Sequence, residues 1–195
     1  FRRSRGLGDV YKRQLLLRSV KIISPNSPHN GAVQDIFIEN GVIKNIADTI
    51  SPTSEFEEIS HPNACISPGW CDLLANFCDP GLEQKEDLFT GAAAAQKGGF
   101  TAVAQIPDTK PALHSKSEIE YILNKSKGLP IAIHPIGAIT RDLAGKELTE
   151  IYDMYAAGAC AFSDAPKPVA DAGMMLRSLL YVCLLYTSPS PRDLL

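Results

Sequence analysis

The sequence predicts an α/β chain in which a small β unit precedes a parallel sheet, and three observations carry that reading. Near the N-terminus, an Asn40-Gly41 dipeptide separates two runs of alternating apolar residues. Beyond Trp70, strand-like and helix-like runs alternate four times. Gly98-Gly99, Gly128 and Gly158 each close one of the helical runs, as glycine does where a helix must leave its own path.

Residues 15–66 read as the small β unit. Leu17 to Ile23 has a strand pattern that Ser24-Pro25 ends. Asp35 to Glu39 and Val42 to Ile46, joined by Asn40-Gly41, form a hairpin signature, because both turn residues tolerate positive φ. Glu57 to Ile66 offers another strand leading into Pro68-Gly69. Residues 67–182 hold the alternating part. Its strands are expected at Cys71–Phe77, Phe100–Ile106, Pro130–Ile139 and Ala159–Ser163. Its helices are expected at about Lys85–Lys97, from Ser115 to about Lys127, at Lys146–Ala157 and at Val169–Val182. Ser115-Lys116-Ser117-Glu118 is a capping box, in which the serine hydroxyl and the glutamate satisfy backbone N–H groups reciprocally. Periodicity alone does not separate half of a barrel from an open doubly wound sheet. The first strand is not followed by a G-x-G-x-x-G loop, so a dinucleotide site is not indicated there.

The two ends are set apart from this reading. Residues 4–14 and 183–193 can be encoded as opposite-strand translations of one DNA segment, which resembles a sequencing-library adapter. Residues 1–14 and 183–195 are therefore expected to be non-native. Leaving them out removes Arg2, Arg3, Arg5, Lys12, Arg13 and Arg192 against Asp9 and Asp193, which takes the net charge from −3 to −7. An acidic domain argues against a nucleic-acid partner. No apolar run reaches membrane-spanning length. Cys65, Cys71, Cys78 and Cys160 form no Cys-x-x-Cys pair. A zinc ribbon or disulfide framework is not indicated, and a reducing cytoplasm is the expected compartment.

The segment Ser67-Pro68-Gly69-Trp70-Cys71-Asp72-Leu73-Leu74-Ala75-Asn76-Phe77-Cys78-Asp79-Pro80-Gly81 resembles the first barrel strand of the dihydroorotase and hydantoinase branch of the amidohydrolases. Several further stretches extend the resemblance over nearly all of residues 15–182. They are Lys85-Glu86-Asp87 with Gly98-Gly99-Phe100-Thr101, Ile106-Pro107-Asp108-Thr109-Lys110-Pro111, Pro135 to Thr140, Gly145 to Leu148, and Gly158 to Asp164. Together they resemble the bacterial long-chain dihydroorotase type. The resemblance implies the first four β/α units of a (β/α)8 TIM-type barrel preceded by a small β-sandwich domain. It also implies a zinc-dependent hydrolase of cyclic amides.

The first strand departs from that pattern where the chemistry sits. The family reads Pro-Gly-x-x-Asp-x-His-x-His there, and its two histidines hold zinc. Leu74 and Asn76 take their places, and Cys78 stands where a substrate-binding arginine belongs. Residues two apart on a strand share a face, so histidines at that spacing can aim at one ion. Leucine has no lone pair, and an amide oxygen suits harder cations better than zinc. Zinc lowers the pKa of bound water from about 15.7 to about 7, roughly 12 kcal/mol of nucleophile generation. No neighbouring carboxylate replaces an effect of that size.

Asp164 matches a family position that bridges metals and is the one candidate ligand here, with a loop carboxylate as the plainer role. Asp108 stands where an asparagine helps hold the substrate carboxylate, and its charge would repel that anion. Asp72 and Asp79 read as structural and turn residues, His134 as a core histidine, and Tyr121 as helix packing. The reading is a homologue of pyrimidine biosynthesis without catalytic residues of its own and without bound zinc. Such homologues imply a structural partnership with aspartate carbamoyltransferase and a homo- or hetero-oligomer. The competing reading is an active hydrolase with an unconventional ligand set.

Overall fold

The computed structural model describes residues 14–52 and 55–183. The adapter-like ends expected at 1–14 and 183–195 lie outside the described residues, except for Gln14 and Cys183 themselves. The chain divides into two units between Pro68 and Gly69.

The first unit is one mixed sheet built from β1 (Gln14–Ile22), β2 (Val33–Glu39), β3 (Val42–Ala47), β4 (Glu57–Ser60) and β5 (Cys65–Ile66). β1 pairs antiparallel with β2, and β2 with β3, while β4 and β5 run parallel to β1. The β2–β3 turn is the expected one, with Asn40 at φ 52 and Gly41 at φ 75. The single strand expected over Glu57–Ile66 is two short ones, because the chain turns at His61–Ala64 before rejoining β1. Val20, Ile22 and Ile36 form its core. Buried Asp35 pins a kink in β1, accepting the Ser19 and Ile50 N–H groups at 2.9 and 3.0 Å and Arg18 Nη1 at 2.6 Å.

The second unit alternates strand and helix: β6 (Trp70–Ala75), α1 (Leu88–Lys97), β7 (Phe100–Gln105), α2 (Lys116–Lys125), β8 (Ala132–Gly137), α3 (Ile151–Ala157), β9 (Ala161–Phe162) and α4 (Ala172–Val182). All strand pairs are parallel, in the sequential order β6-β7-β8-β9. Helices α1, α2 and α3 contribute Leu88, Ala92, Ile119, Ile122, Ile151 and Met154 to one core with Phe77, Val103 and Ile133. Sequential strands with the helices on one face are the pattern of a half-barrel, whereas a doubly wound sheet reverses strand order and is covered on both faces. Ala104, Ile106 and Ile136 form a separate small cluster. Among the described residues, no helix is long and apolar enough to cross a membrane.

The helix starts shift from expectation for local reasons. α1 begins at Leu88 and not Lys85, because Asp87 caps it by accepting the Phe89 and Thr90 N–H groups. α2 begins where its Ser115–Glu118 capping box places it. α3 begins at Ile151 and not Lys146, since Leu148 is drawn into a bridge with Thr140.

Candidate functional site

In a parallel β/α sheet, chemistry sits at the C-terminal strand ends, and the first of these belongs to β6. This strand ends at Ala75, two residues before the expected Phe77. Its register against β7 slips between Asp72, opposite Val103, and Ala75, opposite Gln105. Three steps on β6 match two on β7, so the strand carries a bulge at Leu73-Leu74. The Asp72 carboxylate accepts the Leu74 N–H at 3.0 Å within that bulge. The unbroken two-residue alternation expected for Leu74 and Asn76 is thereby corrected. Leu74 sits in the bulge with 61% of its surface exposed, and Asn76 lies in the loop beyond the strand.

Asn76 is engaged locally. Its amide oxygen accepts the Cys78 N–H at 2.9 Å, a turn that places Cys78 at φ 59. The next residue, Asp79, is the most tightly held group in the loop. Its side chain is fully buried and accepts the Leu88 N–H at the start of α1 (3.3 Å), the Tyr121 hydroxyl (3.0 Å) and Lys125 Nζ (2.8 Å). Its own carbonyl accepts Gln105 Nε2 at 2.7 Å. Burial works against the Lys125 ammonium, yet Asp79 and the Tyr121 hydroxyl more than offset it and raise its pKa. This anchor was not visible as such in the sequence, where Asp79 reads as a turn and Tyr121 as packing. Its partners are 42 and 46 residues away. Beside it, Gly81 takes φ 87, and a Cβ there would come 1.8 Å from the Lys110 carbonyl oxygen. Only glycine fits that approach.

Asp164, the candidate ligand, follows β9 and is buried. One carboxylate oxygen accepts the Ile139 and Thr140 N–H groups at 2.8 and 2.9 Å, and the other accepts the Thr140 hydroxyl. The aspartate thus ties the loop after β8 to the loop after β9. Asp108 lines a cavity with Lys110, Asp142 and Lys167, apart from the loop residues Asn76 and Cys78, which do not line it. Beside Asp142, outside that lining, His114 Nδ1 stands 3.2 Å from Asp142 Oδ1. His134 lies on β8, and the Cys160 thiol donates to its carbonyl at 3.7 Å. Burial pushes the Cys160 thiol up.

The residues present do not fit zinc. Leu74 offers no donor, the Asn76 oxygen already accepts an N–H, and Asp164 already accepts two backbone N–H groups and a hydroxyl. Among the described residues, no three His, Cys, Asp or Glu side chains stand close enough together to hold a metal ion.

The sequential parallel strands and the helices packed on one face define an α/β half-barrel. A family model described as dihydro-orotase-like matches residues 64–185, and the chain belongs to that family. It is 38% identical over 169 residues to a dihydroorotase of Acetivibrio thermocellus, covering 86% of this chain and 39% of that protein. It is 36% identical over 168 residues to a dihydroorotase of Trichlorobacter lovleyi, with the same coverage. The chain therefore spans about two-fifths of the length of these relatives. Among solved structures, the L-hydantoinase (dihydropyrimidinase) from Arthrobacter aurescens superposes with a TM-score of 0.68 at 17% identity, covering 89% of this chain and 39% of that one. A D-hydantoinase superposes at 0.63 with 21% identity, covering 88% and 38%. At such identities the superpositions speak for the fold.

Proposed function

We propose that the protein is a dihydroorotase-like homologue of pyrimidine biosynthesis that does not open cyclic amides and is retained for its scaffold. The observation that carries this is the donor set of the first strand: Leu74 and Asn76 stand where the family has two imidazoles. Cys78 in place of an arginine, and Asp108 in place of an asparagine, weaken the hold on an anionic ring in the same direction. Asp164 then acts as a loop tether. The packed and anchored helix side supports a structural role, since it needs none of those groups.

The same reading takes residues 67–182 as the first four units of a (β/α)8 barrel and residues 15–66 as part of a β-sandwich. Residues 1–14 and 183–195 are taken as non-native. The partner proposed is aspartate carbamoyltransferase, within a cytoplasmic homo- or hetero-oligomer. The test uses the full-length gene product, assayed for ring opening of dihydroorotate with and without added zinc and for co-purification with the transcarbamoylase. The expected result is no turnover in either condition and a stable co-complex. Zinc-dependent turnover abolished by a chelator would replace this reading with an active hydrolase using an unconventional ligand set.

A further inference from the structure

Two Asn-Gly pairs stand at exposed turns of the first unit, Asn30-Gly31 before β2 and Asn40-Gly41 between β2 and β3. Both glycines have positive φ, 83 and 75, and a Cβ built on either would meet nothing within 4 Å. Solvent reaches both pairs alike, but hydrogen bonding separates them. The Gly31 N–H donates to the Ile22 carbonyl at 2.8 Å, and the Asn30 side-chain oxygen accepts the Ser24 N–H at 2.9 Å. Among the described residues, neither the Asn40 side chain nor the Gly41 N–H has a hydrogen-bond partner. The β2–β3 ladder closes on Glu39 and Val42 and passes the two turn residues by. The Asn40 amide carbon is an electrophile, and the Gly41 backbone nitrogen, which no side chain shields, is the nucleophile next to it.

We propose that Asn40 is a self-modification site, at which the protein deamidates itself with water as the co-reactant, while Asn30 is held back. The Gly41 nitrogen loses its proton and attacks Asn40 Cγ. A bond forms between that nitrogen and Cγ, the Cγ–Nδ2 bond breaks, and Nδ2 leaves as ammonia with the proton. Water then opens the cyclic imide at either carbonyl, leaving aspartate or isoaspartate at position 40. Either product adds a negative charge beside Glu39, and isoaspartate also lengthens the main chain in the turn that sets the Glu39–Val42 register. Among the described strands β3 pairs with β2 alone, so it is the strand such a change loosens. The inference concerns the β unit and stands apart from the function proposed above.

Peptide mapping by mass spectrometry tests it on the full-length protein, incubated both folded and in urea, at neutral and at mildly alkaline pH. In the folded protein Asn40 should convert about twentyfold faster than Asn30, since each of the two hydrogen bonds at Asn30-Gly31 is worth roughly a factor of five. In urea, where both bonds are gone, the two sites should convert at like rates. Conversion should quicken as pH rises, because the attacking nitrogen must be deprotonated, and isoaspartate should appear together with aspartate at position 40. Asn40→Gln, whose longer side chain closes the ring slowly, should suppress the change there and leave Asn30 as it was. An unmodified Asn40 in the folded protein, equal folded rates at the two sites, or a preference for Asn40 that persists in urea would overturn the proposal. Zinc-dependent ring opening would overturn the function proposed above and leave this site untouched.

Discussion

The first barrel strand and its loop hold two kinds of residue, and they have fared differently. Ala75, Phe77 and Asp79 lie among the helices: Ala75 and Phe77 pack into the main core, and Asp79 is anchored by three side-chain and backbone donors from α1 and α2. Leu74 and Asn76, interleaved with them in sequence, are exposed or turned onto the local backbone. The side that meets the helices is packed and hydrogen-bonded, whereas the side carrying Leu74 and Asn76 offers a single amide oxygen that already accepts the Cys78 N–H. On the function proposed above, folding and catalysis draw on different residues of one strand, so the second can be lost without the first.

That contrast can be broken from the scaffold side. Lys125→Met leaves the Asp79 carboxylate buried without its cation, and the unfolding free energy should fall by about 4 kcal/mol, read as a shift in the urea midpoint. Leu88→Ala, at a fully buried position of α1, should cost about 3 kcal/mol by the same measurement. If either variant melts like the parent, the helix side is not what holds the unit together.

Alkaline pH sharpens the comparison further. The folded state raises the Lys125 pKa above its ordinary value. The stability this contributes is complete below the unfolded value of about 10.4 and is lost as pH rises through the folded value. Urea midpoints should therefore decline above about pH 10 in the parent protein. The decline should be shallower in Lys125→Met, and equal slopes would remove the ion pair from the account. On the site side the effect should be smallest: Leu74→Ala, at an exposed bulge position, should move stability by less than about 0.5 kcal/mol.

Local chemistry was readable in the sequence, and long-range chemistry was not. The Asn40-Gly41 turn and the Ser115–Glu118 capping box are written within four residues each, and both occur where the pattern puts them. The start of α3 differs from the sequence pattern because Lys146 to Leu148 has helical composition but Leu148 bridges to Thr140. A bulge leaves no mark on an apolar alternation, so the slip at Leu73-Leu74 was invisible. The Asp79 anchor depends on Tyr121 and Lys125, a helix and a strand away, and nothing in an Asp-Pro-Gly turn announces such partners. The cavity around Asp108 is half legible: the loop after β7 carries the Ile106-to-Pro111 motif, whereas Asp142 and Lys167 are brought to it by the fold.

The central claim rests on the metal. Zinc content of the full-length protein, measured by mass spectrometry after purification without chelators and after dialysis against zinc, tests it most directly. The account predicts far less than one tightly bound zinc per chain under both conditions. One zinc or more per chain, retained through gel filtration, would contradict it.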